Sequence, residues 1–155
     1  MSAAPGHSSD QTARRRAMGA FAASDAPTLA AAWDAIAGGT AAISLRGPEA
    51  GLVMLRGRIG GGGAPFNLGE ASVTRASVRL ASGEVGHAMV LGRDTDHARL
   101  AAQFDAAWQR DDWRAAIEAR VVAPALAKQA EADRRSAEET EATRVDFFTM
   151  VRGDD

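Results

Sequence analysis

Three histidines, His7, His87 and His97, are the only imidazoles in a chain that has no cysteine. Without thiols there is no thiolate nucleophile, no disulfide, no iron–sulfur ligation and no cysteine-held zinc. His97 stands three residues after Asp94, with Arg93 alongside. A metal centre would want a second histidine or a carboxylate at ligand spacing, and no other histidine is near in sequence. Asp is a favoured helix cap, so Asp94 and His97 read better as a capped helix start with a surface histidine. His87 falls in an apolar strand and could face either side; His7 sits in an N-terminal tail. There is no Gly-x-Ser-x-Gly elbow, and the carboxylates show no spacing that singles out an acid–base pair. No catalytic residue and no metal ligand is assigned.

The run Gly60-Gly61-Gly62-Gly63 offers exposed backbone amides of the sort that cradle anions. However, no Gly-Lys-Ser/Thr occurs and no helix is expected after the run, so a hairpin connection is the reading favoured on residue chemistry. The 18 basic residues are nearly all arginine, with Lys128 the single lysine. Guanidinium forks suit carboxylates, phosphates and interface pairs, although a GC-rich genome would by itself produce an alanine- and arginine-rich chain. Arg58 and Arg75 are expected on strands flanking the glycine loop, where they could meet phosphate or a partner's carboxylates. A net charge of −2 and a pI near 5.9 argue against a nucleic-acid binder.

The elements that must position these residues follow from periodicity. Residues 1–10 are small and polar and read as a disordered tail. Arg14-Arg15-Arg16 before Ala17–Ala23 briefly imitates a signal peptide, but an amphipathic helix with Met18 and Phe21 on one face explains it better. Ser24 and Asp25 offer caps, Pro27 suits a first turn, and Leu29, Trp33 and Ile36 repeat at helical spacing up to Gly38-Gly39. From Thr40 the period becomes two. Ile43–Arg46, Val53–Ile59, Ser72–Leu80 and Val85–Leu91 are expected as a four-stranded antiparallel meander, with a turn at Gly47–Gly51. Helical spacing returns after Asp94 with Ala98, Ala101, Phe104 and Trp108, then Trp113, Ile117 and Val121, capped by Asp111 or Asp112. The chain is therefore read as α+β, with one domain over 11–143. No apolar run is long enough to cross a membrane.

From Pro124 to about Thr143 the pattern is polar, with Leu126 its only large apolar residue, so hydrophobic burial cannot hold that helix to a core. Val145-Asp146-Phe147-Phe148-Thr149-Met150-Val151 then turns abruptly apolar. Either this segment folds back onto the sheet, or it docks on another subunit by strand addition or aromatic anchors.

Arg58-Ile59-Gly60-Gly61-Gly62-Gly63 with Phe66 and Gly69, Thr74–Leu80, Val90-Leu91-Gly92-Arg93-Asp94 with His97-Ala98, and Arg144–Gly153 together resemble the PhnG family of the carbon–phosphorus lyase system. The similarity runs from about Arg14 to Gly153. Four consecutive glycines stand where the family more often breaks the run at Gly62. The resemblance implies a cytoplasmic subunit that works with PhnH, PhnI and PhnL, in a core complex that also contains PhnJ. The implied reaction transfers ribose triphosphate from ATP to an alkylphosphonate, with adenine released and the phosphonate joined to ribose C1. It places the iron–sulfur cluster and S-adenosylmethionine in PhnJ alone, and implies no cofactor bound by this chain. Residues 144–155 become a docking segment, with Arg144, Val145, Asp146, Phe147, Phe148, Met150 and Arg152 at the subunit interface. Arg58, Gly60, Gly61, Gly63, Arg75, Arg93 and His97 become candidate phosphate- or partner-contacting residues. A free-standing nucleotide- or phosphonate-binding carrier is the competing expectation.

Overall fold

A computed structural model describes residues 5–58 and 63–142. Helix α1 spans Pro5–Ala23, starting inside the stretch expected as tail, and α2 spans Ala26–Ala37. Strands β1 (Ala42–Gly57), β2 (Phe66–Leu80) and β3 (Val85–Leu91) form an antiparallel sheet in the order β1-β2-β3. Helix α3 covers Thr95–Trp108 and α4 Asp111–Ile117; a π turn at Glu118–Val122 leads into α5, Ala123–Ala142.

The α+β architecture agrees with the sequence reading, but among the described residues the sheet has three strands rather than four. The expected turn at Gly47–Gly51 lies inside β1, because both of its flanks pair with β2, from Ala42↔Leu80 through to Gly57↔Phe66. The surplus residues are taken up as register shifts between Ser44 and Arg46 and between Arg46 and Glu49. An edge strand tolerates Pro48, which has no N–H to give to a ladder. Gly47 has φ +65, and a Cβ there would stand 2.7 Å from both the Arg75 carbonyl oxygen and the Glu49 nitrogen. Only glycine fits that bend.

Local signals act where expected at the helix ends. Asp25 caps α2 by accepting from the Thr28 N–H at 2.8 Å, and Gly38 closes it in the left-handed region. Asp94 caps α3 through the His97 N–H at 2.9 Å. At α4 the cap position belongs to Arg110, not to Asp111 or Asp112; both acids lie in the first turn, and Arg110 grips Asp112 at 2.7 Å.

α3 is the central element, with an unbroken buried run from Leu100 to Trp108. Phe104 meets Phe21 at 5.5 Å and Trp33 edge-on at 5.4 Å, and Trp33 meets Trp113 at 6.3 Å. Buried alanines, including Ala17, Ala20, Ala98, Ala102 and Ala106, let α1 and the sheet close onto α3. Gly86 serves the same approach. A methyl group there would collide with the Ala102 carbonyl oxygen and the Ala106 backbone, coming within 2.9 Å of the Ala106 Cβ. α5 buries none of its residues, in keeping with its polar sequence.

Candidate functional site

Among the described residues, helix α3 packs against one face of the sheet, and α1 runs beside β3. Along β3, Gly86 and Val90 are buried whereas His87, Met89 and Leu91 are exposed, so His87 points to the open face. The register then builds two rows across that face. Arg46 stands opposite Ser77, and Ser77 opposite His87; Glu49 stands opposite Arg75, and Arg75 opposite Met89. Ser77 Oγ and His87 Nδ1 are 2.9 Å apart. Arg46 donates to Glu49 Oε1 from Nε at 2.8 Å and approaches the same oxygen with Nη2 at 2.6 Å. Arg75 Nη2 lies 3.9 Å from that oxygen. Arg46, Arg75, Ser77 and His87, with Met18 from α1 and Met89, border a depression of about 260 Å³. The bulges on either side of Arg46 re-aim it, as bulges do.

A buried carboxylate anchors this face from behind. Asp105 on α3 is fully buried and accepts from Arg14 Nε and Nη2, both at 2.8 Å, and from the His87 backbone N–H at 2.8 Å. The Arg14 guanidinium is held above its usual range, chiefly by its hydrogen bond to Asp105. Gln109 Nε2 donates to the Val85 carbonyl at 2.8 Å. Side chains from α3 and its cap thus satisfy polar groups on the edge of β3 away from β2 and fix His87's strand to α1 and α3.

Of the described residues singled out from the sequence, only Arg75 belongs to this cluster. Arg58 is exposed past the far end of β1. Glu49, which pairs with Arg75, precedes Gly57 by eight residues, roughly 26 Å at 3.3 Å per residue. β1 and β2 do flank the loop, but Arg75 stands far along β2 from it, so the two arginines are not brought together. Gly63 (φ +93) is exposed beyond that end, while Gly60 and Gly61 lie outside the described residues. Arg93 is exposed in the turn before α3. His97 is half-buried, and its Nε2 meets the Phe21 carbonyl at 3.1 Å, near the C-terminal end of α1. This contact ties α3 to α1. Arg46, Ser77 and His87 were not selected from the sequence. The alternation Arg75, Ser77, Arg79 already placed Ser77 with the arginines, but its neighbours on β1 and β3 needed the register.

β2 and β3 pair only as far as Val73↔Leu91, whereas β1 and β2 continue from Leu52↔Ser72 to Gly57↔Phe66. The result is a two-stranded ribbon about 20 Å long. It exposes Leu52, Met54, Leu55, Phe66 and Leu68, and the open face adds Ile43, Leu45, Met89 and Leu91. The interface residues expected at Arg144, Val145, Asp146, Phe147, Phe148, Met150 and Arg152 lie outside the described residues. Among the described residues no three His, Asp or Glu stand together as a metal site, and no helix is long and apolar enough to cross a membrane.

Helices on one face, an arginine-bearing open face on the other and an apolar ribbon beyond both define a small α+β protein of the interaction type. A family model described as "Phosphonate metabolism protein PhnG" matches residues 12–153, and the chain belongs to the PhnG family. It is similar to the alpha-D-ribose 1-methylphosphonate 5-triphosphate synthase subunit PhnG of Rhizobium meliloti (strain 1021). The two are 58% identical over 142 residues, which cover 92% of this chain and 90% of the relative.

Proposed function

We propose that the chain is a non-autonomous subunit of the carbon–phosphorus lyase complex in the cytoplasm. There it acts with PhnH, PhnI and PhnL to transfer ribose triphosphate from ATP to an alkylphosphonate, releasing adenine. PhnJ, with its iron–sulfur cluster and S-adenosylmethionine, performs the later cleavage, for which this chain has no thiol ligands. The relative's name, a subunit of a ribose methylphosphonate triphosphate synthase, supports the reaction.

The exposed ribbon is the observation that carries the subunit reading. A two-stranded ribbon is marginal in water by itself, and contiguous apolar exposure marks an interaction surface. A free-standing carrier would have to keep Leu52, Met54, Leu55, Phe66 and Leu68 in solvent. A partner that lays a chain over them removes the cost. The apolar segment within 144–155 acts as a second contact.

The test is co-expression of the tagged chain with PhnH, PhnI and PhnJ, followed by sizing chromatography. Elution in one stoichiometric complex is expected. A chain that elutes as a monomer while the other three assemble without it would refute the reading.

A further inference from the structure

The geometry points to an oxyanion site on the sheet's open face, formed by Arg46, Arg75, Ser77 and His87 and gated by Glu49. Its ligand class is a tetrahedral phosphorus oxyanion, such as the phosphate chain of a nucleotide or a phosphonate. The choice of that class, and not the existence of the site, rests on the reading under Proposed function.

Two guanidiniums converge on one oxygen of Glu49, at 2.6 Å from Arg46 and 3.9 Å from Arg75. That carboxylate occupies the position an incoming anion would take. Its hold is weak, because all three side chains are substantially exposed and exposed pairs contribute little. A polyanion that presents several oxygens to both forks displaces a single carboxylate. With Glu49 in place and His87 neutral, the cluster carries one net positive charge, and Arg79 adds another one row along.

The Ser77–His87 pair supplies a donor in either tautomer. If the Ser77 hydroxyl donates to Nδ1, the ring proton sits on Nε2 and points away from the pair. If Nδ1–H donates to Ser77 Oγ, the hydroxyl proton is free to turn to the ligand. Either way one neutral donor is offered beside two charged forks. Asp105, Gln109 and Gly86 hold β3 in register behind it, so the donor row is positioned before a ligand arrives.

The experiment is calorimetric titration of the full-length chain with inorganic tripolyphosphate at low salt, with methylphosphonate as a second arm. Wild type is expected to bind tripolyphosphate. Arg46→Gln with Arg75→Gln should weaken binding by about tenfold or more, since charge-assisted hydrogen bonds are lost. Glu49→Gln removes the competing carboxylate and should strengthen it. Arg99→Gln, on α3 where Arg99 meets Asp96, should leave it unchanged. Methylphosphonate binding with the same order of variants shows that the site reads a single tetrahedral group. Binding of tripolyphosphate alone shows that it reads a phosphate chain. Absence of wild-type binding, an unaffected double-arginine variant, or weakening by Glu49→Gln overturns the proposal. So does a double-arginine variant that loses co-purification yet binds tripolyphosphate normally, because the arginines then serve a partner's carboxylates. The titrations are read on the chain alone and do not bear on whether the wild-type chain assembles, so the site can fail while the subunit reading stands.

Discussion

Replacing Leu52, Met54 and Leu68 together by threonine tests what the ribbon is for. Threonine introduces a β-branched, strand-compatible side chain while removing most of the apolar surface. In the isolated chain these residues are 64%, 52% and 61% exposed. Complete burial of one such side chain is worth about 1.5–3 kcal/mol. The exposed fractions therefore leave on the order of 1 kcal/mol each, or roughly 3–4 kcal/mol in all, for a partner to gain. Allowing threonine to retain about a third, the triple variant should lose roughly 2–3 kcal/mol of association, near two decades in affinity. The isolated chain should hardly notice, since exposed substitutions usually fall within about 0.5 kcal/mol. The assay pairs a thermal melt of the variant with a concentration-dependent pull-down by the complex that lacks this chain. Undiminished association would refute the reasoning. A large fall in melting temperature would also refute it, because the three side chains would then be supporting the fold itself.

Three further outcomes follow from the same structure. Gly86→Ala forces a methyl group against the backbone of α3, so overpacking of about 1–3 kcal/mol should lower the urea midpoint; an unchanged midpoint would mean that β3 stands off α3. The Thr28 N–H holds the Asp25 carboxyl below its usual range, so its contribution is present above the unfolded pKa and lost as pH falls through the folded value. Asp25→Asn keeps a cap without the titration and should lose less stability than wild type between about pH 5 and pH 3; parallel curves would contradict this. Phe147→Ala with Phe148→Ala should leave the domain folded yet cost roughly 3–6 kcal/mol of PhnI binding. Normal co-purification would remove the docking role, and unfolding of the isolated chain would favour a segment packed on its own sheet.

Features set by neighbours in sequence were legible without coordinates. The caps at Asp25 and Asp94 and the left-handed stop at Gly38 each need only a few adjacent residues. The polar face of α5 followed in the same way from its lack of large apolar residues. β1 was not legible as one strand, because Gly47-Pro48 signals a turn locally and only pairing with β2 shows a bulged edge. The site suffered more from the same limit. Arg75 was visible, but Arg46 and His87 join it only through cross-strand register. His97 looked like a surface group because its partner, the Phe21 carbonyl, lies 76 residues away. Asp105 drew no notice at all; its meaning depends on Arg14, 91 residues distant.

Adenine release measured by chromatography tests the central claim most directly. ATP and methylphosphonate are incubated with PhnH, PhnI and PhnL, with and without this chain, and with the chain alone. Release is expected only when all four proteins are present, and restoring the wild-type chain to the depleted mixture should recover it. Release at the full rate without the chain, or by the chain alone after a contamination control, would contradict the account.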